Sequence, residues 1–275
     1  GGAIYYSNSV GQSILYEVCG YDCFTTYSTP RHQFAWIQVN NAASRKNYFN
    51  YSSISRCVNT NSDPWHTLYL YGGNILCPSV NASLNKCYGE TIYFYPYSDS
   101  NSVTCSFSFS SFADNTVTQY TLFYLIANAK YEIKSCNILR NTQSYSSEGT
   151  IAAWGNTNIE YSCILENNAN YIFFQASSYT ITISNCTVDR ISNNGYLTIQ
   201  NTVTKSFIFA LNHMSTQNCH SEYDSIGTIS HIIPLSSSSK KQMLHYSCNE
   251  FFSQSSLRDL LLLASIFSTL KLLPQ

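Results

Sequence analysis

The chain has 275 residues and a formal net charge of -1, with 11% charged residues, 23 Tyr and 11 Cys. Low charge with many aromatics argues against disorder, which needs the opposite balance. The absence of Lys/Arg clusters removes the electrostatic footprint of a nucleic-acid binder, so no nucleic-acid partner is expected.

The chain opens Gly1-Gly2-Ala3-Ile4. It shows neither an initiating Met nor a basic stretch followed by an apolar one, so it is expected to be a piece of a longer protein. Short β-rich runs then recur. They begin with Gly2-Ala3-Ile4-Tyr5, Phe34-Ala35-Trp36-Ile37 and Leu68-Tyr69-Leu70-Tyr71. They continue with Thr91-Ile92-Tyr93-Phe94, Thr121-Leu122-Phe123-Tyr124, Thr150-Ile151-Ala152-Ala153, Tyr171-Ile172-Phe173-Phe174, Tyr196-Leu197-Thr198-Ile199 and Thr228-Ile229-Ser230-His231. A second series alternates with period two, as in Tyr131-Glu132-Ile133 and Ile181-Thr182-Ile183.

A third signal is an apolar anchor followed three residues later by a polar one, above all Asn. It reads Val58…Asn61, Phe112…Asn115, Ile138…Asn141 and Ile164…Asn167, with Met214…Gln217 and Phe251…Gln254 as weaker copies. Leu84 and Val188 fall at the expected places without the polar partner. The anchors Val58, Leu84, Phe112, Ile138, Ile164, Val188, Met214 and Phe251 are spaced by 26, 28, 26, 26, 24, 26 and 37 residues.

Three short strands per repeat of this length is the arithmetic of a β-solenoid. A sandwich or antiparallel barrel also uses short strands, but requires no ordered triplet. The expected fold is therefore all-β: a parallel β-helix over 1–256, of about nine rungs. Asn is expected at the turns, where it tolerates left-handed backbone, and in stacks between rungs. The apolar segment 257–275 is too short to span a bilayer. It reads as a short capping helix, a truncated membrane segment or a reading-frame artefact.

Gly1-Gly2-Ala3-Ile4 has the form of a GG-A/I/L/V motif, and Phe112-Ala113-Asp114-Asn115 that of F-x-x-N. In this the chain resembles the chlamydial polymorphic outer-membrane proteins and similar repeat proteins on the surface of trichomonad parasites. The later copies depart from the first motif: Glu148-Gly149-Thr150-Ile151, Asn194-Gly195-Tyr196-Leu197 and Ile226-Gly227-Thr228-Ile229. Phe209…Asn212 matches the second motif out of phase. The resemblance implies a right-handed parallel β-helix and an extracellular or cell-surface location. It also implies an adhesive role, with host-surface proteins, glycans or further copies of the chain as partners, and membrane attachment through a region at or beyond the end of this chain.

The cysteines recur about once per rung, as in Cys57, Cys136, Cys163, Cys186 and Cys248. They lack the paired spacing of a zinc site, so neither metal nor cofactor is expected, and core filling is the favoured reading, with some disulfides in a secreted protein. Asn-x-Ser/Thr sequons at Asn50, Asn81 and Asn185 are candidate N-glycosylation sites, the first two expected to face solvent and Asn185 to be shielded. An alternative function is a polysaccharide-acting enzyme, pectate-lyase-like or glycoside-hydrolase-like, because this fold hosts such chemistry. It needs converging carboxylates. Glu132, Glu160 and Asp189 are the candidate acidic stripe, with outward solvation as the competing reading. No catalytic constellation stands out, so a non-enzymatic, surface-presenting solenoid is the expected function.

Overall fold

The computed structural model describes residues 3–24, 32–58, 65–144, 148–176 and 178–204, all within one compact unit, 1–234. The anchors Met214 and Phe251 and the segment 257–275 lie outside the described residues. Among the described residues the protein is all-β and has no helix.

Parallel strands form three eight-stranded sheets and one three-stranded sheet. The first sheet stacks Ile4–Asn8, His32–Val39, His66–Tyr71, Glu90–Tyr95, Phe123–Leu125, Gly149–Ala153, Tyr171–Gln175 and Asn193–Asn194. The second stacks Ser13–Tyr16, Lys46–Asn50, Asn74–Pro78, Val103–Ser108, Lys130–Lys134, Asn156–Glu160, Thr180–Ser184 and Tyr196–Gln200. The third stacks Cys19–Tyr21, Ser53–Ser55, Asn81–Ser83, Ser111–Ala113, Asn137–Leu139, Cys163–Leu165, Thr187–Val188 and Val203–Thr204. Within the described residues the chain visits first, second and third sheet in that order eight times, so each visit is one coil of a solenoid. A short fourth strip pairs Lys86–Cys87, Thr116–Val117 and Thr142–Gln143.

Two corners shape each coil. Between second and third sheets sit Glu17, Tyr51, Ser79, Phe109, Ser135, Tyr161, Asn185 and Asn201, all left-handed with φ from 44 to 53°. After the third sheet, Asp22, Arg56, Leu84, Asp114, Arg140 and Glu166 are left-handed again, with φ from 50 to 58°. A left-handed conformation costs a non-glycine residue about 1–2 kcal/mol. The stack offsets that cost, because the corner N–H bonds to a carbonyl of the next coil: Tyr51 to Pro78, Phe109 to Lys134, Ser135 to Glu160. Asn was expected at these corners, but only two of the fourteen left-handed non-glycine residues are Asn.

Asn works inside the stack instead. Asn85, Asn115, Asn141 and Asn167 form a buried ladder just beyond the second corner. The Oδ1 of Asn115, Asn141 and Asn167 each accepts both the backbone N–H and the Nδ2 of the preceding Asn, at 2.9 to 3.1 Å. The second Nδ2 hydrogen goes back to a carbonyl of the previous coil: Asn115 to Ala82, Asn141 to Phe112, Asn167 to Ile138. The ladder caps the turn at Cys57, whose N–H bonds to Asn85 Oδ1.

Register corrects two of the anchors. Ile54, Ala82, Phe112, Ile138, Ile164 and Val188 share one inward position of the third sheet. Leu84 is the left-handed corner residue two places after Ala82, and Val58 bridges Lys86 in the fourth strip, four places after Ile54. The early coils are longer because loops such as the one between Tyr95 and Val103 are inserted. The chance spacing of Val58 and Leu84 hid this. Tyr196–Gln200 also moves: it pairs with Thr180–Ser184 in the second sheet, not with the first-sheet strand Tyr171–Gln175. Gly195, at φ 100°, makes that abrupt turn against the Gln175 carbonyl, where a Cβ would stand 2.6 Å from the oxygen.

The core lies inside the coils. Phe94, Phe107 and Phe112 come from the three strands of a single coil and meet at its centre, with Phe123 of the next coil against them. The ring centroids are 4.6 to 5.4 Å apart. Ala113, Leu139, Cys163 and Leu165 form a second, smaller buried cluster on the other face of the third sheet. Phe112→Ala is expected to cost about 3–5 kcal/mol in urea unfolding, the usual loss for an emptied aromatic site. Asn115→Ala strands two donor groups of Asn85 and the Ala82 carbonyl. At about 1–3 kcal/mol per buried orphan it is expected to cost about 3 kcal/mol or more. An Asn115→Ala protein as stable as the parent would show that the ladder contributes nothing net.

Candidate functional site: an aromatic ladder on the first sheet

Strand alternation sends Ala35, Ile37, Leu68, Leu70, Ile92 and Phe94 inward and leaves the residues between them on the outer face. In-register stacking then aligns Tyr5, Trp36, Tyr69, Tyr93 and Tyr124 as direct neighbours. The next coil places Ala152 at that position. Trp154 swings into the gap, its ring 4.6 Å from Tyr124 and 5.6 Å from Phe174. The result is a continuous ladder of seven rings with centroid spacings of 4.5 to 5.9 Å. Tyr5 is 62% exposed and the other rungs are half-buried. Tyr71 and Tyr95 stack beside it at 4.8 Å. Trp65, itself exposed, packs on Tyr88 and Tyr120 at the strand-entry edge.

A polar pair sits under this surface. His66 and Glu90 occupy the same first-sheet position in adjacent coils, with Nδ1 2.7 Å from Oε2. Tyr69 and Tyr93 close over the imidazole at 5.3 and 4.8 Å. Burial pushes the Glu90 carboxyl up to about 8 and pulls the His66 imidazole down to about 3. Glu148 is raised to about 6, first by burial and then by the nearby Glu90. Burial also raises the Tyr124 phenol to about 12, so the ladder stays neutral in ordinary conditions. Near pH 7 the His66–Glu90 pair is neutral and Glu148 is the ionised carboxyl beside it, so the patch offers stacking and hydrogen bonding with a single negative charge nearby.

The other candidates distribute differently. Asn50 and Asn81 are half-buried, whereas Asn185 is exposed, because the left-handed corner turns it outward beside buried Cys186. The expected order of exposure is thus reversed. Glu132, Glu160 and Asp189 do not line up. Glu132 is level with Asn158, Glu160 is level with Lys134 and lies 4.0 Å from its ammonium, and Asp189 accepts from the Glu166 N–H after the third sheet. Cys77, Cys87, Cys105, Cys136, Cys163 and Cys186 are buried and act as core filling, and Cys19 is disulfide-bonded. Among the described residues no group of three or more His, Cys, Asp and Glu side chains is arranged to hold a metal ion, and no helix is long and apolar enough to cross a membrane. The ladder itself was written in the outward letters of the strand series. Trp154, two places out of register, has no such mark, and nothing in the spacing of His66 and Glu90 announces their contact.

Comparison with protein families, curated proteins and solved structures finds no match to this chain.

The buried pair links stability to pH. Glu90, raised from 4.5, contributes stability that is full below 4.5 and is lost as pH rises through about 8. His66, lowered from 6.5, contributes stability that is full above 6.5 and is lost as pH falls toward about 3. The two effects cancel between 4.5 and 6.5, where Glu148 adds a decline up to about 6. From about pH 6.5 to 8 the Glu90 loss remains, opposed above about 7 by the Cys23 thiol, whose lowering to about 7 adds stability as pH rises. The thermal midpoint of the parent protein is therefore expected to fall relative to that of Glu90→Gln over that interval. Parallel midpoint curves for the two proteins would show that Glu90 is not held protonated.

Proposed function

We propose that this chain is a non-enzymatic, surface-exposed β-solenoid that presents the first-sheet aromatic ladder as an adhesive or interaction face. In this reading the solenoid is a right-handed parallel β-helix of about nine rungs. Parallel crossover connections are right-handed in nearly all proteins. Eight coils fill the described residues, the last placing Thr204 level with Val188. An extracellular or cell-surface location follows from the resemblance to repeat proteins of bacterial and protist surfaces.

The observation that carries the proposal is the ladder of seven outward rings in consecutive coils. Outward positions of a sheet need no aromatics for folding, and the matching second-sheet column passes from Ile14, Tyr48 and Leu76 to Ser106, Glu132, Asn158 and Thr182. Tyr and Trp supply rigid contact area at low entropic cost and keep a polar handle at the surface. The central rings stack face to face along the column, so the row presents ring edges and phenol hydroxyls outward, which suits an extended glycan chain better than a compact small molecule.

A second reading, a polysaccharide-acting enzyme, draws on Glu90 and Glu148, two carboxyl groups held above their ordinary range beside the ladder. A protonated carboxyl is what a glycosidic general acid requires. Glu90 is only 4% exposed, which counts against its reaching a substrate.

Affinity electrophoresis through gels containing soluble glucans, xylans or host-type glycans separates the readings. Retardation of the parent protein is expected, with Trp36→Ala and Tyr93→Ala each weakening it by about 1–3 kcal/mol, the scale of one lost stacking contact. Equal mobility of parent and ladder variants on every glycan, together with a monomeric sedimentation profile, would remove glycan binding and self-association as uses of the face. Release of reducing ends that is abolished in Glu90→Gln would establish the enzyme reading instead.

A further inference from the structure

The position that carries the Asn ladder carries cysteine in the first two coils. Gly20 is level with Ile54, and three residues beyond each stand Cys23 and Cys57. They are the same coil position as Asn85, three beyond Ala82. Among the described cysteines these two are the pair that shares a position in adjacent coils: Cys105 is level with Ile75 rather than Cys77, and Cys163 with Asn137 rather than Cys136. Equivalent residues of stacked coils lie about 4.8 Å apart, inside the Cα range of a disulfide. Each thiol bonds to a carbonyl two residues back, Cys23 to Tyr21 at 3.7 Å and Cys57 to Ser55 at 3.8 Å, so neither is held by a side-chain partner of its own coil. Both thiols are free, Cys57 buried and Cys23 half-exposed at the mouth of the ladder.

We propose that Cys23 and Cys57 form a thiol–disulfide exchange site for low-molecular-weight disulfides. The Cys23 thiolate attacks one sulfur of the small disulfide, forming a protein mixed disulfide and expelling one small thiolate. Cys57 then attacks the Cys23 sulfur, the second small thiol leaves, and the Cys57 proton ends on a departing thiolate. Two protein thiols are oxidised and one small disulfide is reduced to two thiols. The product bond joins the first two coils.

The surroundings fit these roles. The neighbouring Cys57 thiol draws the Cys23 thiol down to about 7, and the same proximity followed by burial drives Cys57 up. Exposed and easily ionised, Cys23 is the attacking group, and Cys57 the resolving one. Burial raises Cys77, Cys105 and Cys136, which leaves them inert as nucleophiles. The Cys57 N–H, fixed on Asn85 Oδ1 at 3.0 Å, holds the resolving residue in place. The proposal does not depend on the interaction face.

The test incubates the protein with glutathione disulfide at neutral pH, alkylates in acid and maps peptides by mass spectrometry. The parent is expected to yield a peptide joining Cys23 to Cys57, Cys57→Ser a stable glutathione adduct on Cys23, and Cys23→Ser no adduct on Cys57. Iodoacetamide labelling of Cys23 in the parent is expected to be half-maximal near pH 7, and to run several-fold faster at that pH than labelling of a short cysteine peptide. The parent measurements decide the matter alone if a variant fails to fold. A Cys23 that stays reduced, keeps its glutathione cap, pairs with Cys19, or titrates as an ordinary thiol overturns the proposal.

Discussion

Everything in this protein depends on in-register stacking of one coil on the next. Backbone hydrogen bonds run along the stack, from each strand to its equivalent and from each left-handed corner to the following coil. The constraint is strict, because a one-residue slip would exchange the inward and outward sets of every strand. The Asn ladder enforces it at a corner where strand pairing has ended. An Asn amide there has donors for the previous and the next coil and an acceptor shared by two donors. A shift of register would strand several buried polar groups at once.

Stacking also converts residue choice into columns. A column of inward Phe and Ile residues becomes the core. An outward column of Tyr and Trp becomes a ladder longer than any single strand could make. Where one coil lacks the ring, as at Ala152, a neighbouring Trp154 fills the column from two places away. The corner column tolerates Tyr51, Phe109 and Tyr161 in left-handed backbone, since the next coil supplies each N–H with an acceptor. The same logic sets two thiols face to face at Cys23 and Cys57. The scarcity of charge follows, because like charges in adjacent coils would repel at about 4.8 Å along a column. Arg140 and Asp114 show the permitted arrangement, opposite charges at level positions with a two-pronged contact at 2.8 Å.

Function, if it resides on the ladder, comes from length and repetition rather than from a pocket. Each ring adds little, but rings held by one rigid sheet engage an extended partner together, so their contributions accumulate without a new ordering cost for each. The neutral state of the His66–Glu90 pair keeps fixed charge from lying directly beneath the central rings.

By itself the sequence determined the class of fold: short strands in ordered triplets, an apolar position near every corner, and Asn three residues on at Phe112, Ile138 and Ile164 all reflect local rules of strand alternation and repeat length. The regular stretch from 112 to 188 was legible because its coils hold 24 or 26 residues. The longer early coils were not, since inserted loops break the period and only backbone pairing reveals that Ile54 and Ala82, not Val58 and Leu84, face the core. The tertiary structure alone decided which strand letters join into one ladder, that Trp154 completes it, that Asn185 is exposed, and that His66 meets Glu90 and Cys23 meets Cys57. These are contacts between coils, fixed by register across some 20 to 35 residues of intervening chain, and no local pattern encodes register before the coils close on one another.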